Sequence, residues 1–173
     1  MIRLPTIEHA PGLMQEVQSG ARVASRVAVK AVIWEGERLR LLHSQRWSCY
    51  KFAGGGTETG ESHAVALARE LREELGAELL ELGLPLLTVT ELSWAQEAAA
   101  DVFQMDSFYY PCQVRLGQHP PTLEAYEAEL GLTPCLVTPA QAATANARAQ
   151  AQAAAPRWLR REVAVLRALE QVG

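Results

Sequence analysis

The chain has 173 residues, enough for one domain with a real core and short for two. It is 49% apolar and 21% charged, the balance of an ordinary soluble globular protein. Its net charge of −4 lacks the basic footprint of a protein that grips a long nucleic acid, although divalent cations could still bridge such a chain to a small polyphosphate.

The reading starts with residues 1–20 as an N-terminal extension. Met1 to Gln18 mixes Glu8, Glu16, Pro5 and Pro11 with isolated apolar residues and has no run of signal-peptide type. Nothing in the chain approaches the roughly 18 apolar residues of a membrane helix, so a cytoplasmic, non-membrane protein is expected. Val27 to Ile33 is a β-branched run broken by Lys30. With Leu39, Leu41 and Leu42 beyond the turn Glu35-Gly36-Glu37, it reads as two strands. Tyr50-Lys51-Phe52 alternates like a strand and stops at Gly54-Gly55-Gly56. Glu61 to Leu75 reads as a helix closed by Gly76.

Leu86 to Leu92 and Val102 to Val114 read as later strands, with Ala95 to Asp101 as a loop between them. Leu136-Val137 is a short strand, and Thr138 with Pro139 can cap and open a helix. Ala140 to Ala155 is alanine-rich, a helix with little to bury and therefore expected to pack loosely. Pro156 opens a last helix with the apolar stripe Trp158, Leu159, Val163, Leu166 and Leu169. The expected organisation is one α/β (α+β) domain over residues 21–155, with a C-terminal helix, 156–173, packed on it. Cys49, Cys112 and Cys135 are odd in number and far apart, which points to free thiols rather than zinc or disulfides.

The chemistry concentrates between Gly54 and Gly76. Glu70, Glu73 and Glu74 stand at i, i+3 and i+4, so at about 100° per residue they share a helix face. Ala64, Ala68, Leu71 and Leu75 form another face that would dock the helix. Three clustered carboxylates repel one another, and a hard divalent cation with oxygen ligands relieves the conflict. Arg69 and Arg72 are the local counter-charges, so a plain solvated face is the competing explanation. The glycine-rich turn before the helix favours a site, because it lets backbone approach a metal or phosphate. Gly55 to Ser62 also has the form G-x-x-x-x-G-E-S, but a phosphate-binding P-loop needs lysine where Glu61 stands.

Gly55, Glu61, Arg69, Glu70, Leu71, Glu73, Glu74 and Gly76 match the Nudix box, G-x5-E-x7-R-E-U-x-E-E-x-G-U, and the chain thus resembles the Nudix hydrolase family. Ala77 replaces the last apolar position, Ala53 a proline before the double glycine, and Leu136 a tryptophan before Val-Thr-Pro; none is a ligand position. The resemblance implies a mixed sheet sandwiched between helices. It implies Mg²⁺ or Mn²⁺ held by Glu73, Glu74 and a Gly54 or Gly55 carbonyl, with Glu70 as ligand or general base. Arg69 and Glu61 would orient the site. The implied reaction is attack of a metal-activated water on a pyrophosphate bond in a nucleoside diphosphate linked to another moiety.

A further carboxylate is expected from Glu97, Asp101, Glu124, Glu127 or Glu129, with Glu127 preferred. Trp47, Tyr50, Trp94 and Phe108 could stack on a base, though core packing or a hydrophobic-lid role is the favoured expectation for each. Trp158 reads as a packing residue. Two alternatives accompany the hydrolase: a non-catalytic nucleotide-sensing module of the same fold, and an RNA-end processing enzyme, which the acidic charge disfavours. A homodimer through the Val102 to Val114 strand and the C-terminal helix is a further expectation. The leaving moiety is not legible.

Overall fold

The computed structural model describes residues 1–171; the last two positions assigned above to the C-terminal helix, 172 and 173, lie outside the described residues. Among the described residues, two sheets and five helices are built from elements that alternate in chain order. Strands β1 (Ile2–Arg3) and β2 (Ile7–Glu8) are followed by helix α1 (Leu13–Gln18), strand β3 (Val23–Val32) and the hairpin β4 (Trp34–Glu35) and β5 (Arg38–Ser44). Strand β6 (Cys49–Lys51) leads through the glycine turn into α2 (His63–Leu75). Then come β7 (Glu78–Leu82), β8 (Leu87–Trp94), β9 (Val102–Arg115), α3 (Ala125–Leu130), β10 (Leu132–Val137), α4 (Pro139–Gln150) and α5 (Leu159–Glu170).

The larger sheet runs β1-β8-β9-β3, with β2 also on β8 and β7 also on β9; the smaller runs β10-β5-β4, with β6 also on β5. Its centre is β9, parallel to β3 over ten residue pairs and antiparallel to β8. Because strand side chains alternate, β3 divides its residues between two layers. Val29 and Ala31 pack with Ala66, Leu67, Leu71 and Leu75 of α2. Val32 packs on the other side with Ala142, Ala143, Val165 and Leu166 of α4 and α5. The sheet is thus sandwiched between helices, as the fold class required.

Several elements depart from expectation. Residues 1–20 supply two strands parallel to β8, each only two residues long and so too short to show a period. Strand β7 is interrupted by a register shift between Leu79 and Glu81, which explains its lack of clean alternation. The hairpin turn joins β5 to the short β4 rather than to β3, since the chain leaves the larger sheet after Val32. The last helix begins at Leu159, three residues after Pro156. On α2, Ala64 is exposed and Ala68 half-buried; the docking stripe is Ala66, Leu67, Leu71, Glu74 and Leu75. No helix among the described residues is long and apolar enough to cross a membrane.

The alanine-rich segment is not loosely packed. Ala142, Ala143, Asn146 and Ala149 of α4 are buried, because small side chains let the helix approach α5 and β6 closely. Thr138 caps it with Gln141 in a reciprocal box, as its sequence indicated. Asn146 acts toward β6 as a neighbouring strand would: Tyr50 N donates to its Oδ1 at 2.7 Å, and its Nδ2 donates to Tyr50 O at 2.8 Å. Asn146→Ala should therefore leave two shielded backbone groups unpaired and cost about 1–3 kcal/mol in urea unfolding, whereas exposed Thr144→Ala should cost under about 0.5 kcal/mol.

Candidate active site

Ser62 starts α2 by accepting a hydrogen bond from Val65 N, and Gly76 ends it in the left-handed region at φ 60°. The turn before the helix is not a free loop. It lies antiparallel along the second edge of β3: Val29 N donates to Gly55 O, Ala31 N to Ala53 O and Thr57 N to Val27 O, each at 2.9 Å. Gly54 has φ 124°, and a Cβ there would run into the Val29 carbonyl. A Cβ on Gly55 would occupy the place of the Glu70 carboxylate. The two glycines thus let the turn lie on β3 and let a helix carboxylate lie on the turn.

Arg69 joins the parts. Its Nε and Nη2 donate to the two Glu61 oxygens at 3.1 and 3.0 Å, its Nη1 to Glu70 at 2.7 Å and, more loosely, to Glu73 at 3.4 Å. Nη2 also donates to Gly56 O at 3.1 Å. The planar fork of guanidinium makes this possible; a lysine has no such geometry. Glu61 accepts from Glu58 N as well, and its carboxyl is held below the usual range first by Arg69 and then by that backbone bond.

Behind this group lies a buried charge cluster. Lys51 Nζ donates to Glu74 at 2.7 Å and to Glu127 at 3.1 Å; Gly54 N donates to the other Glu74 oxygen. Lys30, 4% exposed, donates to Gly54 O. Burial lowers the Lys30 ammonium to about 8, helped by repulsion from Lys51 and Arg161. Burial also pushes the Glu74 carboxyl upward, against the pull of Lys51 and Lys30. Tyr126 lies over Lys51, 5.7 Å from ring centroid to Nζ, and its hydroxyl donates to Glu127 at 3.0 Å.

Glu70, Glu73, Arg69, Gly54 and Gly55 line one cavity of about 420 Å³. Glu61 supports it from beneath through Arg69. Glu74 faces Lys51 and the Gly54 amide instead of the cavity, because it shares the docking stripe of α2. Of the later acids, Glu124 and Glu127 join the lining. Glu129 lies on the surface, 4.0 Å from Arg46, and Glu97 borders an adjoining trough. Asp101 is bound to Arg22 and fastens its loop. The Gly55 and Gly54 carbonyls already accept from Val29 N and Lys30, leaving each a second lone pair. Among the described residues no three Asp, Glu, His or Cys side chains converge closely enough to hold a metal between them; Arg69 and Lys51 share the carboxylate charge.

Sequence reasoning missed Lys30, Lys51 and Tyr126. The signal was present for the lysines, each a cation inside an otherwise apolar strand. Tyr50 packs on His43, Phe108 on His63, and Trp47 joins the cluster around Cys49. Trp158 packs in that cluster and also lines the cavity. All three cysteines are free, as expected.

Arg69→Lys should keep the fold and lose activity by about a hundredfold, because one ammonium cannot hold Glu61, Glu70 and the Gly56 carbonyl in register. Far-UV circular dichroism and turnover, measured on one preparation, check both halves.

The NUDIX domain family model matches residues 24–161. The fold is similar to that of the E. coli ORF135 protein in solution, at 20% identity and TM-score 0.51, covering 87% of this chain and 91% of that one. It is also similar to the mutator MutT protein from Bacillus halodurans, at 16% identity and TM-score 0.52, covering 69% and 72%. At such identities these two likenesses concern the fold alone. A search of curated proteins gives no match. With the matched region spanning the glycine turn, the carboxylate helix, the smaller sheet and all of the larger sheet but its first two strands and the first residue of β3, the chain belongs to the Nudix family of pyrophosphohydrolases.

Proposed function

We propose that the protein hydrolyses a pyrophosphate bond in a nucleoside diphosphate linked to another moiety, with Mg²⁺ or Mn²⁺ as cofactor. The observation that carries this reading is the placement of Glu70 and Glu73 by Arg69 in one cavity, with the Glu70 carboxylate against the Gly55 backbone. The donors there are all oxygens, carboxylate and carbonyl, which suits a hard divalent cation that retains part of its water. Glu70, Glu73 and the Gly55 carbonyl would hold it, with the Gly54 carbonyl and Glu127 as further oxygens. Glu74 would join them if its bond to Lys51 opened; otherwise it holds the turn in place. A bound cation supplies charge neutralisation and a more acidic water.

The protein's own residues supply the rest. Glu70 is the group to take the proton of the attacking water as the new O–P bond forms and the bridging P–O bond breaks. Lys30 and Lys51 also line the cavity and can meet the oxygens of the departing phosphoryl group. Arg69 keeps Glu70 from swinging away, and Glu61 keeps Arg69 in place.

Nucleoside di- and triphosphate derivatives, assayed with Mg²⁺ and with Mn²⁺ for phosphate or pyrophosphate release, test the reading. Glu70→Gln and Glu73→Gln should each lower kcat by about 10² to 10⁴. Turnover that persists under full chelation or in both variants would overturn it. Binding of intact nucleotide without turnover would identify a sensing module.

A further inference from the structure

The glycine turn is braced from a distance by a line of side chains that starts in the N-terminal extension. Phe52, two residues before Gly54, is buried, and its amide donates to Glu162 Oε2 at 3.0 Å. The other Glu162 oxygen accepts from Arg161 Nε at 3.2 Å, from Arg161 Nη2 at 3.0 Å and from the Tyr109 hydroxyl at 3.5 Å. Arg161 Nη1 reaches across to Glu91 Oε2 on β8 at 2.7 Å. The second Glu91 oxygen lies 3.0 Å from His9 Nε2. Burial acts to raise the Glu91 carboxyl, but the His9 bond and then Arg161 outweigh it and hold the group below the usual carboxylate range. Glu91 is therefore ionised. An ionised carboxylate only accepts, so His9 Nε2 donates in this bond.

The links run His9, Glu91, Arg161, Glu162, Phe52, and so join the N-terminal extension, β8, α5 and the end of the strand that enters the turn. They are shielded from solvent: Glu162 is 0%, Glu91 6% and Arg161 7% exposed. Among the described residues Arg161 has no carboxylate within ion-pair distance other than Glu91 and Glu162. In such surroundings a charge released by one partner has no water to turn to, so each bond constrains the next. Glu91 is the joint. The last torsion of a glutamate is broad, and one donor alone would leave its carboxylate free to turn. With His9 on one oxygen, the other is aimed at Arg161.

His9 itself is held in place by backbone. Its amide donates to Leu92 O at 2.9 Å, which continues the short ladder of β2 on β8. The residue before it is fastened on two sides: the Glu8 carboxylate accepts from Met14 N at 2.9 Å, and the Glu8 carbonyl accepts from Arg160 of α5. Ile7 is buried in the core that also holds Val165 and Leu166 of α5. The extension thus grips the last helix at adjacent residues, Arg160 directly and Arg161 through Glu91.

We propose that His9 is a positioning residue for the active site: through Glu91, Arg161 and Glu162 it sets where the Phe52 amide, and with it the glycine turn, lies. The N-terminal extension is then a working part of the catalytic unit and not an appendage to it. The line predicts a local effect. Tyr50, two residues before Phe52, is held by Asn146 of α4 and stands outside the line. Loss of the His9 bond frees Phe52 and spares Tyr50, whereas general destabilisation frees both. The assignment rests on the pyrophosphohydrolase reading for its turnover assay but not for its exchange assay.

The test uses the full chain with His9→Leu, His9→Asn, His9→Gln and Ile7→Ala. The glutamine amide nitrogen takes about the place of Nε2 and can donate to Glu91; the asparagine amide is too short to reach it. Ile7→Ala weakens the same strand by removing buried apolar area and leaves the line intact. Amide hydrogen exchange is followed residue by residue by NMR, and kcat and KM are measured on the nucleoside di- and triphosphate derivatives. In His9→Leu and His9→Asn the Phe52 amide should exchange about tenfold faster with Tyr50 within about twofold, and kcat should fall about tenfold with KM within about twofold. His9→Gln should restore both. Ile7→Ala should lower the melting temperature and keep kcat and the ratio of Phe52 to Tyr50 exchange at the wild-type values. His9→Asn keeps a polar group at the position and decides the question if His9→Leu does not fold. Unchanged Phe52 exchange, or unchanged kcat, in the folded His9→Leu and His9→Asn variants overturns the positioning role and leaves the hydrolase reading intact. So does an Ile7→Ala variant that reproduces their effects, because the extension then acts by packing alone. Selective release of the Phe52 amide that His9→Gln restores, in a protein with no turnover, supports the positioning line and overturns the hydrolase.

Discussion

The active region depends on one constraint: the second edge of β3 is occupied by a turn instead of a strand. Hydrogen bonds from Val29 and Ala31 to the Gly55 and Ala53 carbonyls, and from Thr57 to Val27, hold five irregular residues as firmly as a sheet holds a neighbour. Only a residue without a side chain fits at Gly54, where the Val29 carbonyl fills the Cβ position. Once the turn is fixed, the start of α2 is fixed, and the carboxylates about two and three turns along it, Glu70 and Glu73, point back to the turn. Arg69 makes that return contact physical by binding the Gly56 carbonyl and the acids of the same helix.

The second theme is electrostatic. Buried or half-buried carboxylates are expensive unless paired, and this site pairs them twice. Arg69 serves Glu61, Glu70 and Glu73 at the cavity wall; Lys51 serves Glu74 and Glu127 behind it. One cation comes from the strand that leads into the turn and the other from the helix that follows it, so the charge balance and the geometry have one origin. Arg161 and Glu162 extend the pattern to the C-terminal helix: Glu162 accepts the Phe52 amide two residues before Gly54. The last helix therefore packs on the domain and also holds the strand that delivers the glycines.

Much of this was legible beforehand, and the rest was hidden for identifiable reasons. The strands with clean alternation, the α2 helix with its closing glycine, and the acid spacing were read correctly because each is a local pattern; the start of α2 was placed two residues early, at Glu61, with the capping Ser62 counted as helix. Glu74 shows where local reading ends. At i+4 from Glu70 it belongs with the acids, but it is also three residues from Leu71 and seven from Leu67, on the buried stripe. The stripe decides, since two leucines fix the rotation of the helix. Lys30, Lys51 and Arg161 were overlooked for a similar reason. Each interrupts an apolar pattern, and the partner that explains it lies far away in sequence. Glu127 was singled out by its position before β10 and does border the cavity, but its bond to Lys51 has no sequence signature. The packing of α4 was misjudged because alanine was weighed by what it buries rather than by how near it lets two helices come.

Strand β6 has a consequence for solubility. It pairs with β5 on one side only, so its other edge would ordinarily present bare amides and carbonyls to any passing chain. Two side chains from separate helices close that edge: Asn146 takes both backbone groups of Tyr50, and Glu162 takes the Phe52 amide. The strand that leads into the glycine turn is thereby shielded from templating intermolecular pairing. An asparagine in a run of alanines works here as a guard against aggregation.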